Sequence, residues 1–115
     1  MTVDCIFCKI AHGATNTTFL YEDADVVAFD DLHPKAPQHK LIIPKKHIAT
    51  INDFEKSDAP LAGHLIMVAQ TLAKKLNIAE NGYRLLFNCN RDGGQVVFHV
   101  HLHLLGGRNM QWPPG

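Results

Sequence analysis

The sequence predicts an α+β fold: a five-stranded, mainly antiparallel sheet with one long helix and a short N-terminal helix. Short apolar runs of strand length recur along the chain, one stretch alone carries helical periodicity, and only the connection holding that stretch is long enough for a crossover. With 115 residues and 46% hydrophobic content, the chain is expected to build one core, so residues 1–115 read as a single domain.

Cys5-Ile6-Phe7-Cys8-Lys9-Ile10 reads as a short helical turn. Phe19-Leu20-Tyr21 and Val26-Val27-Ala28-Phe29 are brief strand runs joined by the polar turn Glu22-Asp23-Ala24-Asp25, which is a hairpin signal. His33 to Gln38 holds two prolines in six residues and must be a loop, and Lys40 to Ile43 then makes a third strand stopped by Pro44. From Ser57 to Asn77 the pattern turns helical, with Leu61, Leu65, Val68, Leu72 and Leu76 spaced by threes and fours to paint one stripe. Ser57 or Asp58 can cap this helix, and Pro60 falls in the first turn, where the backbone N–H groups lack intrahelical partners. Asn81-Gly82 closes the connection, Tyr83 to Asn88 gives a fourth strand, Asn90 to Gln95 a tight loop, and Val97 to Leu105 a fifth. The tail from Gly106 to Gly115 is too rich in glycine and proline for a helix and should lie on a surface.

Lysine plus arginine equal aspartate plus glutamate at 11 each, which removes the broad positive field that nonspecific nucleic-acid binding needs. No run approaches the roughly 20 apolar residues of a membrane span, and Met1-Thr2-Val3-Asp4-Cys5 lacks a basic region followed by an apolar one. The expectation is a cytoplasmic protein with neither nucleic acid nor membrane as partner. Three cysteines, two of them spaced C-x-x-C, argue against a secreted disulfide framework.

Phe98-His99-Val100-His101-Leu102-His103-Leu104-Leu105 places three of eight histidines at strict alternation. On a strand that spacing sets three imidazoles on one surface and Val100, Leu102 and Leu104 on the other. Imidazole changes charge near neutral pH, attacks phosphorus and binds metals, so the row is a candidate for phosphoryl-type catalysis or for a metal. A third ligand in line reaches a tetrahedral centre poorly, so at most two of the three could share one ion. Gly93-Gly94 sits just ahead of the row. It is a turn, or a nest of backbone N–H groups able to hold phosphate oxygens.

These residues resemble a known family. His99-Val100-His101-Leu102-His103-Leu104-Leu105 matches the His-φ-His-φ-His-φ-φ signature of the histidine-triad (HIT) nucleotide-binding superfamily, and the chain from Cys5 to Trp112-Pro113-Pro114-Gly115 is similar to its Hint branch, the purine nucleoside phosphoramidases. Ala28-Phe29-Asp30-Asp31, Ala36-Pro37-Gln38-His39, Ile42 to Ile48, Asp92-Gly93-Gly94-Gln95 and Gly106-Gly107-Arg108 add to the match. The resemblance implies that His101 attacks the α-phosphorus of a purine nucleoside phosphoramidate and that water hydrolyses the resulting nucleotidyl-histidine. It gives His103 a role in phosphate contact and proton transfer, Asn88 and the backbone around Gly94 and Gln95 the phosphate and leaving group, and Asp31 the ribose hydroxyls. Phe7, Ile10, Phe29, Leu32 and Leu41 would supply the apolar slot for the base. Val96 departs from the family, which usually has serine there: valine has no donor, so leaving-group handling is weakened or supplied by backbone alone, which would slow turnover or shift the preference among leaving groups.

C-x-x-C is shared by zinc sites and redox pairs. The resemblance implies a structural zinc on Cys5, Cys8, His47 and His99, which a purified sample need not retain. It also implies a homodimer, with the tail around Trp112 lying across the interface. Cys89 reads as a small residue beside Asn88, Lys45-Lys46 as a solvated strand end, and His12, His33 and His64 receive no role. Three rivals stand beside the phosphoramidase reading: hydrolysis of dinucleoside polyphosphates or adenosine phosphosulfate on the same fold, a catalytically weak nucleotide-binding or protein-interaction module, and a metal-binding regulator using Cys5, Cys8 and the histidines.

Overall fold

The computed structural model describes residues 4–115. The part of the N-terminal reading that concerns Met1, Thr2 and Val3 lies outside the described residues. Helix α1 (Ile6–Ala11) comes first, followed by β1 (Tyr21–Glu22), β2 (Val26–Asp30) and β3 (Gln38–Pro44). Two 3-10 turns, Ile51–Asp53 and Lys56–Asp58, lead into helix α2 (Ala59–Lys75), after which β4 (Tyr83–Leu86) and β5 (Leu102–Gly106) complete the sheet. The strand order is β1-β2-β3-β5-β4, and every neighbouring pair is antiparallel. This is the α+β architecture the hydrophobic pattern predicts.

Helix α2 covers one face. Its stripe of Leu65, Val68, Ala69, Leu72 and Ala73 packs on Val26, Ala28, Ile42, Leu102 and Leu104 from β2, β3 and β5, while Leu61 and Leu76 at the ends of the stripe are partly buried. Each of these larger side chains contributes on the order of 2 kcal/mol by leaving water. Asp58 occupies the N-cap position of α2 without capping it. Its carboxylate instead accepts from Lys46 Nζ at 2.7 Å and from the Glu55 N–H at 2.9 Å, so Lys46 is an ion-pair partner and not simply a solvated strand end. Helix α2 is therefore shorter at both ends than the interval from Ser57 to Asn77.

The β1–β2 hairpin is closed by Asp23. One carboxylate oxygen accepts from the N–H groups of Asp25 and Val26 at 2.8 and 2.9 Å. The other accepts from Tyr21 Oη at 2.7 Å and lies 2.6 Å from His64 Nε2 on α2, which ties the hairpin to the helix and gives His64 a structural role.

The fifth strand begins at Leu102, five residues later than the alternation from Val97 suggests. Pairing between β3 and β5 stops at Ile42 opposite Leu102 because the next rungs are diverted. The Pro44 carbonyl bonds His99 Nε2 at 2.8 Å, and the Val100 N–H turns to the Ile48 carbonyl at 2.6 Å. Alternating side chains describe a strand only where the backbone partners are free. Of the three histidines, only His103 lies on the strand, and His99 and His101 occupy the irregular segment before it.

Candidate active site

The second sheet face builds the site. Phe29 pairs with Leu41, Leu41 with His103 and His103 with Leu86, so one rung crosses four strands with every side chain on the same face. The next rung on that face carries His39, Leu105 and Arg84, with the Asp31 N–H donating to the His39 carbonyl beside it. Helix α1 covers one end of this face through Phe7, Ile10 and Ala11, packed on Val27, Phe29, Leu41 and Ile43. A cavity of about 760 Å³ remains, with apolar walls from Phe7, Ile10, Phe29 and Leu41 and polar groups from Asp31, Asn88, His101 and His103.

Hydrogen bonds fix the protonation of each imidazole. His101 Nδ1 lies 2.8 Å from the His99 carbonyl, which can only accept, so Nδ1 carries the proton and Nε2 keeps its lone pair. The Lys35 N–H donates to His39 Nδ1 at 3.0 Å, so the proton of His39 is on Nε2 and points to His103 Nδ1 at 2.9 Å. His103 is thereby left with its proton on Nε2, a buried atom with no partner among the described residues. The result is an imidazole lone pair on one residue and an unspent N–H donor on its neighbour, with ring centroids 4.9 Å apart.

Burial keeps these rings neutral near pH 7. It lowers His101 from the ordinary 6.5, against the opposing effects of the His99 carbonyl and Asp31. It pushes His103 down to about 4, with His101 and His39 acting in the same direction. Burial lowers His39 as well, although Asp31 Oδ2 lies 3.4 Å from its Nε2. Asp31, His39 and His103 come close enough to suggest a metal site. The Lys35 N–H argues otherwise, because it holds His39 in the tautomer whose Nε2 has no free lone pair. The cluster is a hydrogen-bond relay.

The glycine loop is a tight turn. A Cβ on Gly93 would stand 2.5 Å from the Cys89 carbonyl oxygen, and Gly94 has φ +79°, so both positions demand glycine. Of the amide nest expected at Gly93-Gly94, the Gly94 N–H is already spent: it and the Gln95 N–H donate to the Arg91 and Asn90 carbonyls, both at 3.0 Å. The Gln95 side chain is likewise turned inward, its Oε1 accepting from the Asn90 N–H and its Nε2 donating to the Ala49 carbonyl. Among the described residues the Val96 N–H has no intramolecular acceptor, as is also true of the Arg91, Asp92, Gly93 and Val97 N–H groups, and Val96 and Val97 line the cavity. The Val96 side chain is 87% exposed on the cavity's edge.

Asp31 and Leu32 are also placed differently from a simple slot. Asp31 Oδ1 accepts from the His33 N–H at 2.8 Å, closing the turn ahead of Pro34 and leaving Oδ2 toward His39. Leu32 lines the cavity while 89% exposed, so it stands at the mouth and forms no wall. His39 is the residue to which the sequence reading gave no role. The available signal was its position two residues from Leu41 on the same strand face, which aims it beside His103.

Next to the cavity, Cys5, Cys8, His47 and His99 present four ligand atoms within 4.8 Å of one another. His99 Nδ1 is 3.4 and 3.5 Å from the two sulfurs and 3.2 Å from His47 Nδ1, and Cys8 Sγ is 3.2 Å from His47 Nδ1. A tetrahedral Cys₂His₂ ion would separate its ligands by roughly 3.3–3.8 Å, close to this spacing. Because His99 Nε2 donates to the Pro44 carbonyl, its Nδ1 lone pair faces the cluster, the outer hydrogen bond expected of a metal-binding histidine. Burial, and then Cys5, push the Cys8 thiol up to about 11, so the second thiolate needs a cation beside it. The four residues fit a metal.

A family model described as the HIT domain matches residues 12–110. The chain is 46% identical over 108 residues to the purine nucleoside phosphoramidase of Escherichia coli K12, covering 94% of this chain and 91% of that protein. Among solved structures, a HIT family hydrolase from Legionella pneumophila Philadelphia 1 superposes with a TM-score of 0.95 at 54% identity, covering 97% of this chain and 100% of that one. A histidine triad protein from Clostridium difficile gives a TM-score of 0.93 at 41% identity, covering 96% of each chain. With the sheet, the paired imidazoles and the match along most of its length in agreement, the chain belongs to the HIT-domain family.

Proposed function

We propose that this protein is a hydrolase that cleaves the phosphorus–nitrogen bond of adenosine and guanosine 5′-phosphoramidates, carrying the nucleotide on His101 between two displacements. The carrying observation is the 2.8 Å bond from His101 Nδ1 to the His99 carbonyl, which holds Nε2 unprotonated in a residue that lines the cavity. The E. coli relative named for this activity supports the same reading.

In the first displacement Nε2 of His101 bonds to the α-phosphorus as the bond from phosphorus to the leaving nitrogen breaks. The amine departs with the proton its own nitrogen already carries, or with one from His103 in its imidazolium form, whose formation a neighbouring phosphate anion favours and from which the ring returns to neutral imidazole. Water then attacks phosphorus in line, breaks the bond to His101 and releases the nucleoside monophosphate. His103 Nε2–H, the Val96 N–H and Asn88 suit the nonbridging oxygens, where donors held in advance do most of the work. Phe7, Ile10, Phe29 and Leu41 take the purine with Leu32 at the mouth, and Asp31 Oδ2 takes the ribose hydroxyls. Gly94 and Gln95 act by shaping the turn that presents Val96.

Cys5, Cys8, His47 and His99 would hold zinc as a structural ion. Bound there, it would supply a cross-link between α1, the chain after β3 and the segment carrying His101. Residues 1–115 form one domain in this reading, and two copies associate, using β4 at the sheet edge and the tail that exposes Trp112. A cytoplasmic protein acting on a purine nucleotide, with neither nucleic acid nor membrane as partner, accords with the balanced charge. No helix among the described residues is long and apolar enough to cross a membrane.

The test is release of AMP from adenosine 5′-phosphoramidate compared with a diadenosine polyphosphate, together with mass spectrometry of the quenched enzyme. Preferred cleavage of the phosphoramidate, with an adenylyl adduct on His101, is expected. Preference for the polyphosphate would transfer the site to the rival hydrolase reaction. Val96 favours a second reading, a nucleotide-binding module with little turnover, and tight AMP binding with turnover that His101→Ala does not change would establish it.

A further inference from the structure

Helix α1 has only six residues, well short of the roughly 12 to 15 that an isolated helix needs, so its position is set by what it touches. It touches two sites. At its start Cys5 is the N-cap, and the cap is its sulfur, which accepts from the Cys8 N–H at 3.3 Å. The sulfur that caps the start of the helix is therefore also a ligand atom of the Cys/His cluster, and the Cys8 sulfur one turn later is another.

Between the two cysteines Phe7 points into the cavity. Its ring stands edge-on to His101 at 5.1 Å and 87°, to Phe29 at 5.7 Å and 78°, and to His99 at 6.0 Å and 70°. One ring thus contacts the proposed nucleophile, a wall of the purine slot and a cluster ligand. Ile10, one turn further along, lines the same slot.

We propose that metal binding at Cys5, Cys8, His47 and His99 and nucleotide binding in the slot are positively coupled, with helix α1 and Phe7 as the connection. The inference rests on the nucleotide reading above and adds a regulatory property to it. A cation on the two sulfurs fixes the N-terminus of α1 and with it Phe7, so a nucleotide entering the slot has less ordering left to impose. Linkage then requires the nucleotide to strengthen metal binding by the same factor. Phe7 is a positioning residue for this purpose.

The experiment uses the whole chain, with Zn(II) and AMP as probes. AMP affinity is measured by calorimetry on protein loaded with Zn(II) and on protein stripped by a chelator, and Zn(II) affinity is measured by chelator competition with and without saturating AMP. Stripping should weaken AMP binding by about 5- to 10-fold, and AMP should tighten Zn(II) by the same factor. In Phe7→Ala the two AMP affinities should converge while Zn(II) affinity without AMP stays within about twofold. Should the stripped protein lose its circular dichroism, His47→Asn replaces it, since His47 is exposed and its loss leaves the core intact. Equal AMP affinities with and without Zn(II) overturn the coupling alone. Loaded protein that does not bind AMP overturns the nucleotide reading and the coupling with it, and a Phe7→Ala variant that keeps the full ratio overturns the route through Phe7.

Discussion

Nε2 of His39 lies 2.9 Å from Nδ1 of His103, and this one bond sets which nitrogen of His103 carries the proton. It is itself set by the Lys35 N–H at His39 Nδ1, so a backbone amide in the 32–37 loop determines a tautomer two residues away in the relay. Burial favours neutral rings at both positions, so the relay presents a donor without carrying a charge.

Removing His39 should therefore slow catalysis more than it weakens binding. His39→Ala frees His103 to rotate or change tautomer and is expected to lower kcat by ~10- to 100-fold with KM within about threefold. His39→Gln, whose amide can still donate toward His103, should recover part of the loss. Steady-state kinetics of both variants decides this, and a loss confined to KM would remove His39 from the relay.

His101→Ala should abolish the adenylyl adduct and reduce turnover by at least about 10³-fold, because it removes the lone pair proposed to attack phosphorus. AMP binding should persist, since the slot walls Phe29 and Leu41 are untouched. Single-turnover kinetics and calorimetry on the same preparation separate the two. Turnover surviving near the parent rate would assign the nucleophile elsewhere.

Val96→Ser restores a hydroxyl at the edge of the cavity. The side chain is almost wholly exposed, so stability should hold within about 0.5 kcal/mol. A new hydrogen bond made only while the leaving group departs is worth about 1 kcal/mol, or a rise of roughly fivefold in kcat for a phosphoramidate. Unchanged kcat would show that the Val96 N–H already suffices.

The sheet was legible because β2 and β3 pair apolar residues on both faces and α2 repeats Leu65, Val68 and Leu72 at helical spacing. The three histidines were legible as chemistry, and their backbone was not. Alternation at His99, His101 and His103 cannot disclose that the Pro44 carbonyl is taken by an imidazole, which ends the ladder at Leu102. His39 escaped for a related reason: its partner is 64 residues away, and only the β3–β5 register brings them together. The amide nest expected at Gly93-Gly94 is met only in part, since the turn that the glycines allow spends the Gly94 and Gln95 N–H groups on its own carbonyls.

Stability should fall with acid in two stages. His39 and His103 both titrate below 6.5 in the folded chain, His103 near 4, so between these values the unfolded chain takes up protons that the folded chain refuses. Folding is therefore weakened as pH drops from about 6.5 toward 4, by at most about 1.4 kcal/mol per pH unit for each group and less after solvent screening. Asp23 acts later. Burial alone would raise its carboxyl, but the hydrogen bonds from His64, Tyr21 and the N–H groups of Asp25 and Val26 outweigh that and hold it well below the ordinary 3.8. Its contribution is present above that value and lost as pH falls further. Asp23→Asn should cost about 2 kcal/mol at pH 7 by loosening the hairpin from α2, and should flatten the decline below pH 4 while leaving the earlier stage intact. Urea unfolding at half-unit steps from pH 7.5 to 3 measures both, and parent stability that stays level from pH 7 to 5 would contradict the assignment of neutral, buried imidazoles.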